Sequence, residues 1–328
     1  MTDAKMHLRA VDLRRDLDEV ASLIETCFAG TMDEDGRDYV RYIRRMANYA
    51  RLLGQNEQMP DRFAVPLNGW VWEESGRIVG NLTLIPHRKQ GKRVLLIANV
   101  AVLPEFRRQG IGRILTEQGI ASAHKQGVDE VWLQVRDDNP PAEHLYRELG
   151  FIERLRRTTW LAEPDIPHQR TTLDQVRVTS RTAEDWPAQQ AWLEKIYPPE
   201  AAWNLGFHLD RLKPGFLPTL KAFLGDQPYR CWSARWDGQL LGVAAWEPFT
   251  TPCDPVWLAA PPESEETAIR SLLPEVRAAL ARRRKTLSVN YPGGRAVDAF
   301  LAAGWRMHHT LIWMEIRLPH ATPAGILA

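Results

Sequence analysis

Apolar and polar positions along this chain follow two rhythms, one near 3.6 residues and one near 2, and they alternate in an order that occurs twice. Residues 7–11 read as a short strand. Asp16 or Asp18 then stands where a helix cap belongs, with Val20, Leu23, Ile24 and Phe28 on one face. The charged stretch 33–53 has Tyr39, Ile43 and Met46 at helical spacing. The period then shortens. Residues 69–74 and 78–86 predict two strands about a turn at Ser75-Gly76, and 94–102 is a nearly continuous apolar run, the mark of a strand covered on both faces. A helix over 110–125 ends at Gly127. A strand over 128–135, a short helix over 140–149 and a strand over 151–161 complete the first series.

Residues 162–175 have no period and hold two prolines, which reads as a linker. Beyond it the order restarts: a strand at 176–179, a helix at 183–196, and strands at 230–235 and 240–249 around Asp237-Gly238. A strand at 256–260, a helix at 265–282, a strand at 286–290, a short helix at 296–303 and a strand at 310–318 follow. Tyr146 to Phe151 lies opposite Phe300 to Trp305, and Trp132 to Arg136 opposite Thr286 to Asn290, at one common offset. The pattern is an internal duplication. The expected fold class is α/β, a mixed sheet covered by helices, in two tandem domains over 1–165 and 166–328.

A length of 328 residues suits two domains, and 44% apolar with 25% charged residues is ordinary for a globular chain. The net charge of +1 speaks against a dedicated nucleic-acid partner. Cys27, Cys231 and Cys253 have no metal-ligand spacing, so no metal is expected and a reducing compartment is the simplest reading. No apolar run approaches the ~20 residues that span a bilayer, and charges begin at Asp3. The expectation is a cytoplasmic protein without a membrane partner.

The chemistry concentrates after the buried strand, in Leu103-Pro-Glu-Phe-Arg107-Arg108-Gln109-Gly110-Ile111-Gly112-Arg113. Successive backbone N–H groups at a helix start make an anion site, and the helix dipole adds about half a positive charge there. Gly110 and Gly112 remove side chains where backbone must approach a ligand, and Arg107, Arg108 and Arg113 surround it with positive charge. Such a nest suits a pyrophosphate.

This segment resembles the signature of the GNAT acetyltransferase superfamily, Arg/Gln-x-x-Gly-x-Gly/Ala after a strand, as Arg107-x-x-Gly110-x-Gly112. The resemblance extends over about residues 7–161. Asn139 follows the next strand, Tyr146 comes seven residues later, and Leu149-Gly150-Phe151 matches the usual ending. It implies acetyl-CoA as co-substrate. The backbone of Val100, Ala101 and Val102 would pair with the pantetheine arm between parting strands, and one of its N–H groups would polarise the thioester carbonyl. Arg108, Gln109, Gly110, Ile111, Gly112 and Arg113 would cradle the pyrophosphate, Asn139 would bond the pantetheine chain, and Tyr146 would sit near the sulfur and give the leaving thiolate a hydrogen bond or a proton, with a core residue on the buried helix face as the alternative. The implied reaction is acetyl transfer to a primary amine of a small molecule or peptide by direct attack.

No base is evident. Protein N-terminal acetyltransferases, which this half otherwise resembles, carry a glutamate where Gln134 stands. Asp33, Glu34, Asp35, Glu73 and Glu74 fall in segments that line the acceptor cleft in the family, each with a surface-carboxylate alternative. The basic turn His87 to Arg93 reads as a charged hairpin tip, with a 3′-phosphate contact as the alternative. In the second half the loop is replaced by Pro261-Pro-Glu-Ser-Glu-Glu266 and the tyrosine by Phe300, so that copy is expected to be degenerate and not to hold CoA. Most of the thirteen tryptophans lie beyond residue 180, as core or as the wall of an aromatic acceptor pocket. Other readings share these features: an acyltransferase of the tandem mycothiol-synthase type (in which the second copy works), a non-catalytic acyl-CoA sensor, and a homodimeric interaction module.

Overall fold

The computed structural model describes residues 7–32, 34–52, 68–164, 175–215 and 229–319. It divides into two compact units, one of Met1–Glu153 with Trp313–Ala328 and one of Arg154–Ile312.

In the first unit, β1 (Leu8–Ala10), α1 (Leu17–Phe28) and α2 (Glu34–Leu52) lead into β2 (Gly69–Glu74), β3 (Arg77–Lys89) and β4 (Lys92–Val102). A 3-10 turn at Pro104–Phe106 precedes α3 (Ile111–Lys125), followed by β5 (Glu130–Arg136) and α4 (Pro140–Glu148). Strands β1 to β4 are antiparallel neighbours and β5 runs parallel to β4. Gly119 of α3 has no side chain because Ile97 and Leu82 lie where its Cβ would meet them at 3.2 and 3.3 Å, so α3 sits directly on that face. Alternation then puts Thr83, Ala98, Trp132 and Gln134 on the opposite face, where Tyr39 of α2 meets Thr83.

Strand β6 (Ile152–Ala162) leaves this unit after Glu153. The second unit continues with β7 (Arg177–Ser180), α5 (Trp186–Ile196), α6 (Pro199–Leu205), α7 (Leu209–Leu212), β8 (Arg230–Trp236), β9 (Gln239–Trp246) and β10 (Cys253–Ala259). It ends with α8 (Glu265–Leu280), β11 (Thr286–Pro292), α9 (Val297–Ala302) and β12 (Arg306–Arg317). Here β10 is antiparallel to β9 and parallel to β11, the pattern of β3, β4 and β5 repeated. Trp160 stacks on Phe300 at 4.5 Å in its core. The turn residues at both predicted hairpins, Ser75-Gly76 and Asp237-Gly238, have positive φ, as a tight two-residue turn requires.

The units do not part at residue 165. From Arg154 onward β6 belongs to the second unit, where it pairs with β11 from Arg157/Pro292 to Ala162/Leu287. The closing strand of the first unit is instead the end of β12 from Trp313, beside β5, with Leu318 N–H donating to Asp129 O at 3.1 Å. Each closing strand carries the same kind of local pattern, so the pattern does not say which sheet it joins. The expected linker falls largely at 165–174, outside the described residues.

Candidate active site

Strand β4 carries one extra residue opposite β3: Asn81 pairs with Ala101, yet Thr83 pairs with Ala98. The bulge centres on Asn99, in the left-handed region at φ 51°. The parallel pairing of β4 with β5 ends at Ile97/Leu133, just before the bulge. Beyond it Ala98, Ala101 and Val102 keep their β3 partners, and the pairing with β5 stops where Val100, Ala101 and Val102 were expected to face a ligand.

The loop that follows is built of backbone. Arg108 lies at φ 65° and Gly110 at φ 83°, so the chain turns twice before α3 begins at Ile111. Nothing lies within 4 Å of a Cβ placed on Gly110, and the N–H groups of Ile111, Gly112 and Arg113 start the helix, where no preceding turn accepts them. Ile111 is buried and anchors the helix start against Gly80.

The arginines play different parts. Arg108 is exposed. Arg107 turns back: its Nε donates to Val102 O at 3.0 Å, and its guanidinium lies beside the Cys27 thiol, which burial pushes up and Arg107 draws down. Arg113 is ion-paired with Glu148, which also has His144 at 3.1 Å. Gln109 reaches back toward Glu105 O at 3.5 Å.

Asn139 is the N-cap of α4, its Oδ1 accepting from Ala142 N at 3.3 Å. That bond uses its carbonyl end and leaves the amide NH2 outside it. Tyr146 is buried on α4, edge-on to Phe151 at 6.1 Å, and burial pushes its phenol up to about 12.

A polar cluster that the sequence did not signal surrounds the bulge. Asn81 Nδ2 donates to Asn99 O at 3.0 Å, and the Tyr39 hydroxyl bonds the side chains of Thr83 and Asn99. Burial raises the Tyr39 phenol above its ordinary value. A polar residue at 99 inside an otherwise apolar run is the one trace of the bulge in the sequence.

The carboxylates proposed for the acceptor cleft are engaged elsewhere. Glu73 pairs with Arg9 and Arg15 at 2.7 and 2.6 Å, and these also hold the buried Asp16. Glu74 accepts from Trp72 at 2.8 Å and faces His7 at 3.3 Å, and Glu34 pairs with Arg37 and Arg41. Asp33 and the Asp35 side chain lie outside the described residues. The basic turn is structural in two of its members: Lys89 is buried against Glu130 and over the Trp132 ring, and Arg93 donates to Gln126 O and Gly127 O at the end of α3.

The corresponding places in the second unit are filled by its own side chains. Pairing of β10 with β11 ends at Pro255/Ser288, and beyond it Leu258 N–H donates to the Tyr197 hydroxyl at 3.2 Å. Arg157 packs over the Tyr197 ring and bonds Asn290 Oδ1 at 2.7 Å, Asn290 O at 2.8 Å and Ile196 O at 2.5 Å. At the start of α8 the carboxylate of Glu265 is held by Tyr291 at 2.5 Å and Arg295 at 2.6 Å. Among the described residues no group has a metal-binding arrangement, and no helix is long and apolar enough to cross a membrane.

The segment that carries the bulge, the turning loop and α4 matches the model of the Acetyltransferase (GNAT) family over residues 31–151. Over that stretch the chain resembles the GNAT family. Among curated relatives of this domain, a ribosomal protein bS18-alanine N-acetyltransferase of Escherichia coli is 43% identical over 67 residues, which is 20% of this chain and 45% of that enzyme. A mycothiol acetyltransferase of Saccharomonospora viridis is 37% identical over 81 residues, 23% of this chain and 26% of that enzyme. The chain thus spans less than half the length of the curated relatives it matches. Two solved structures follow nearly all of it. A GCN5-related N-acetyltransferase from Sphaerobacter thermophilus has TM-score 0.56 at 14% identity, covering 94% of this chain and 95% of that one. A tandem GNAT protein from the clavulanic acid biosynthesis pathway has TM-score 0.50 at 16% identity, covering 94% and 98%. At such identities the likeness establishes the fold: tandem GNAT domains on mixed sheets.

Proposed function

We propose that the first unit transfers the acetyl group of acetyl-CoA to a primary amine by direct attack, and that the second unit is a structural copy without CoA chemistry. The observation that carries this is the parting of β4 from β5 next to the loop of Arg108 and Gly110, a slot for an extended arm beside a seat for its phosphates. Acetyl-CoA supplies the activated thioester. Residues 108–113 would bind the pyrophosphate chiefly through backbone N–H groups and the α3 dipole. Backbone of Val100 to Val102 would hold the arm, and an N–H there would stabilise charge on the thioester oxygen.

In the transfer the amine nitrogen bonds the carbonyl carbon, the carbon–sulfur bond breaks, the amine gives a proton to solvent, the sulfur takes one from Tyr146, and Tyr146 regains one from solvent. A phenol held near 12 is protonated throughout the neutral range and suits that role. The second unit cannot offer the same places, because Tyr197, Arg157 and Glu265 stand in them. The test is release of free thiol from acetyl-CoA across an amine panel, with the acetylated product identified by mass. Thiol release equal with and without amine would overturn the reading.

A further inference from the structure

The last arginine of the loop is already engaged. Arg113 is the third residue of α3, and helical side chains lean toward the N-terminus of their helix, so its guanidinium can reach the mouth where the first N–H groups of α3 stand. It is ion-paired instead with Glu148, the last residue of α4, and among the described residues it has no other partner. The two helices adjoin at this turn, since a Cβ placed on Gly112 would stand 3.8 Å from Leu145 of α4.

The stability of α4 does not explain a glutamate at 148. A carboxylate at the C-terminal end of a helix faces the negative pole of the helix dipole. The basic residue of that turn, Arg147, pairs with Glu143 at 2.6 Å and with Glu153 at 3.0 Å. The partners of Glu148 are Arg113 and, at 3.1 Å, His144 Nε2.

This pair is built to open. Arg113 and Glu148 are 40% and 45% exposed, and exposed ion pairs bias an equilibrium only about two- to fivefold. A pyrophosphate at the mouth of α3, with several negative charges and the helix dipole beside it, is a stronger partner for the guanidinium. When Arg113 turns to it, Glu148 keeps His144, so the exchange leaves no carboxylate alone.

We infer that Glu148 is a positioning residue, an internal anion that competes with the pyrophosphate of the acyl donor for Arg113 and so loosens the hold on acetyl-CoA and on the CoA product alike. The inference rests on the acetyltransferase reading above and deepens it. A grip on the nucleotide end is equal in donor and product and adds nothing special to the transition state, so weakening it favours product release without slowing the chemical step.

The experiment is calorimetric titration of acetyl-CoA and of CoA into the parent, Glu148→Gln, Arg113→Met and the double variant, with steady-state kinetics of the parent and Glu148→Gln. Glu148→Gln should tighten both ligands about threefold and lower KM for acetyl-CoA without raising kcat. A damaged fold would weaken binding, so a gain separates this role from a structural one. With Arg113→Met in place, Glu148→Gln should add nothing. Unchanged or weaker binding in Glu148→Gln overturns the inference. An equal gain with and without Arg113 also overturns it, because the carboxylate would then act by its field alone. In both cases turnover by the parent leaves the acetyltransferase reading standing. No binding of acetyl-CoA to the parent overturns both.

Discussion

Arg107 donates to the carbonyl oxygen of Val102 at 3.0 Å, five residues back along its own chain. The first arginine of the signature therefore ties the end of β4 to the loop that follows, and its charge is directed at backbone and at Cys27 rather than at the seat of the phosphates. Arg107→Ala should loosen the strand end and lower kcat/KM about tenfold, while the salt dependence of acetyl-CoA affinity stays as in the parent. A flattened salt dependence in titrations at two ionic strengths would show instead that Arg107 touches phosphate.

Gly112 and Gly110 separate two reasons for a glycine. Gly112 lies in the helix, and a Cβ there would meet only Leu145 and Val102, at 3.8 and 4.0 Å. Gly112→Ala should raise stability by about 0.5–1 kcal/mol by denaturant melting and still weaken acetyl-CoA binding, because the methyl group stands over the cradle. Equal affinity in parent and variant would mean that no ligand approaches this turn.

Tyr146→Phe should lower kcat about 100-fold with little effect on acetyl-CoA affinity. Since burial holds this phenol near 12, its acid form persists as pH rises. The rate should climb with pH as the acceptor amine loses its proton, and should show no descending limb below about pH 10 from this group. A descending limb near neutrality that vanishes in the variant would contradict the assignment.

Glu265→Ala should unfold the second unit more easily by about 3 kcal/mol. It leaves the buried Tyr291 hydroxyl and the Arg295 guanidinium without the anion they share. A melting curve unchanged by this substitution would show that the carboxylate is incidental to the fold.

Of the candidate site, the glycine loop after β4 is legible in the residues themselves, because it is a local feature with strong positional chemistry; that Asn139 caps α4 and that Tyr146 is buried come from the structure. What is not legible depends on long-range pairing. The bulge at Asn99 exists because β3 and β4 are out of step by one residue, a relation between strands that one strand cannot encode. The partnering of Glu73 with Arg9 and Arg15 joins residues some sixty positions apart, so a carboxylate that reads as a free base is engaged in the fold. The assignment of β6 and β12 to units is of the same kind, since each strand suits either sheet by its pattern.

The most direct test is calorimetric titration of acetyl-CoA into the parent protein and into Gly110→Glu, which sets a carboxylate at the mouth of α3. The account predicts one equivalent bound per chain in the parent and no measurable binding in a variant that keeps its far-ultraviolet spectrum and melting cooperativity. Undiminished affinity in that folded variant, or two equivalents per parent chain, would contradict it.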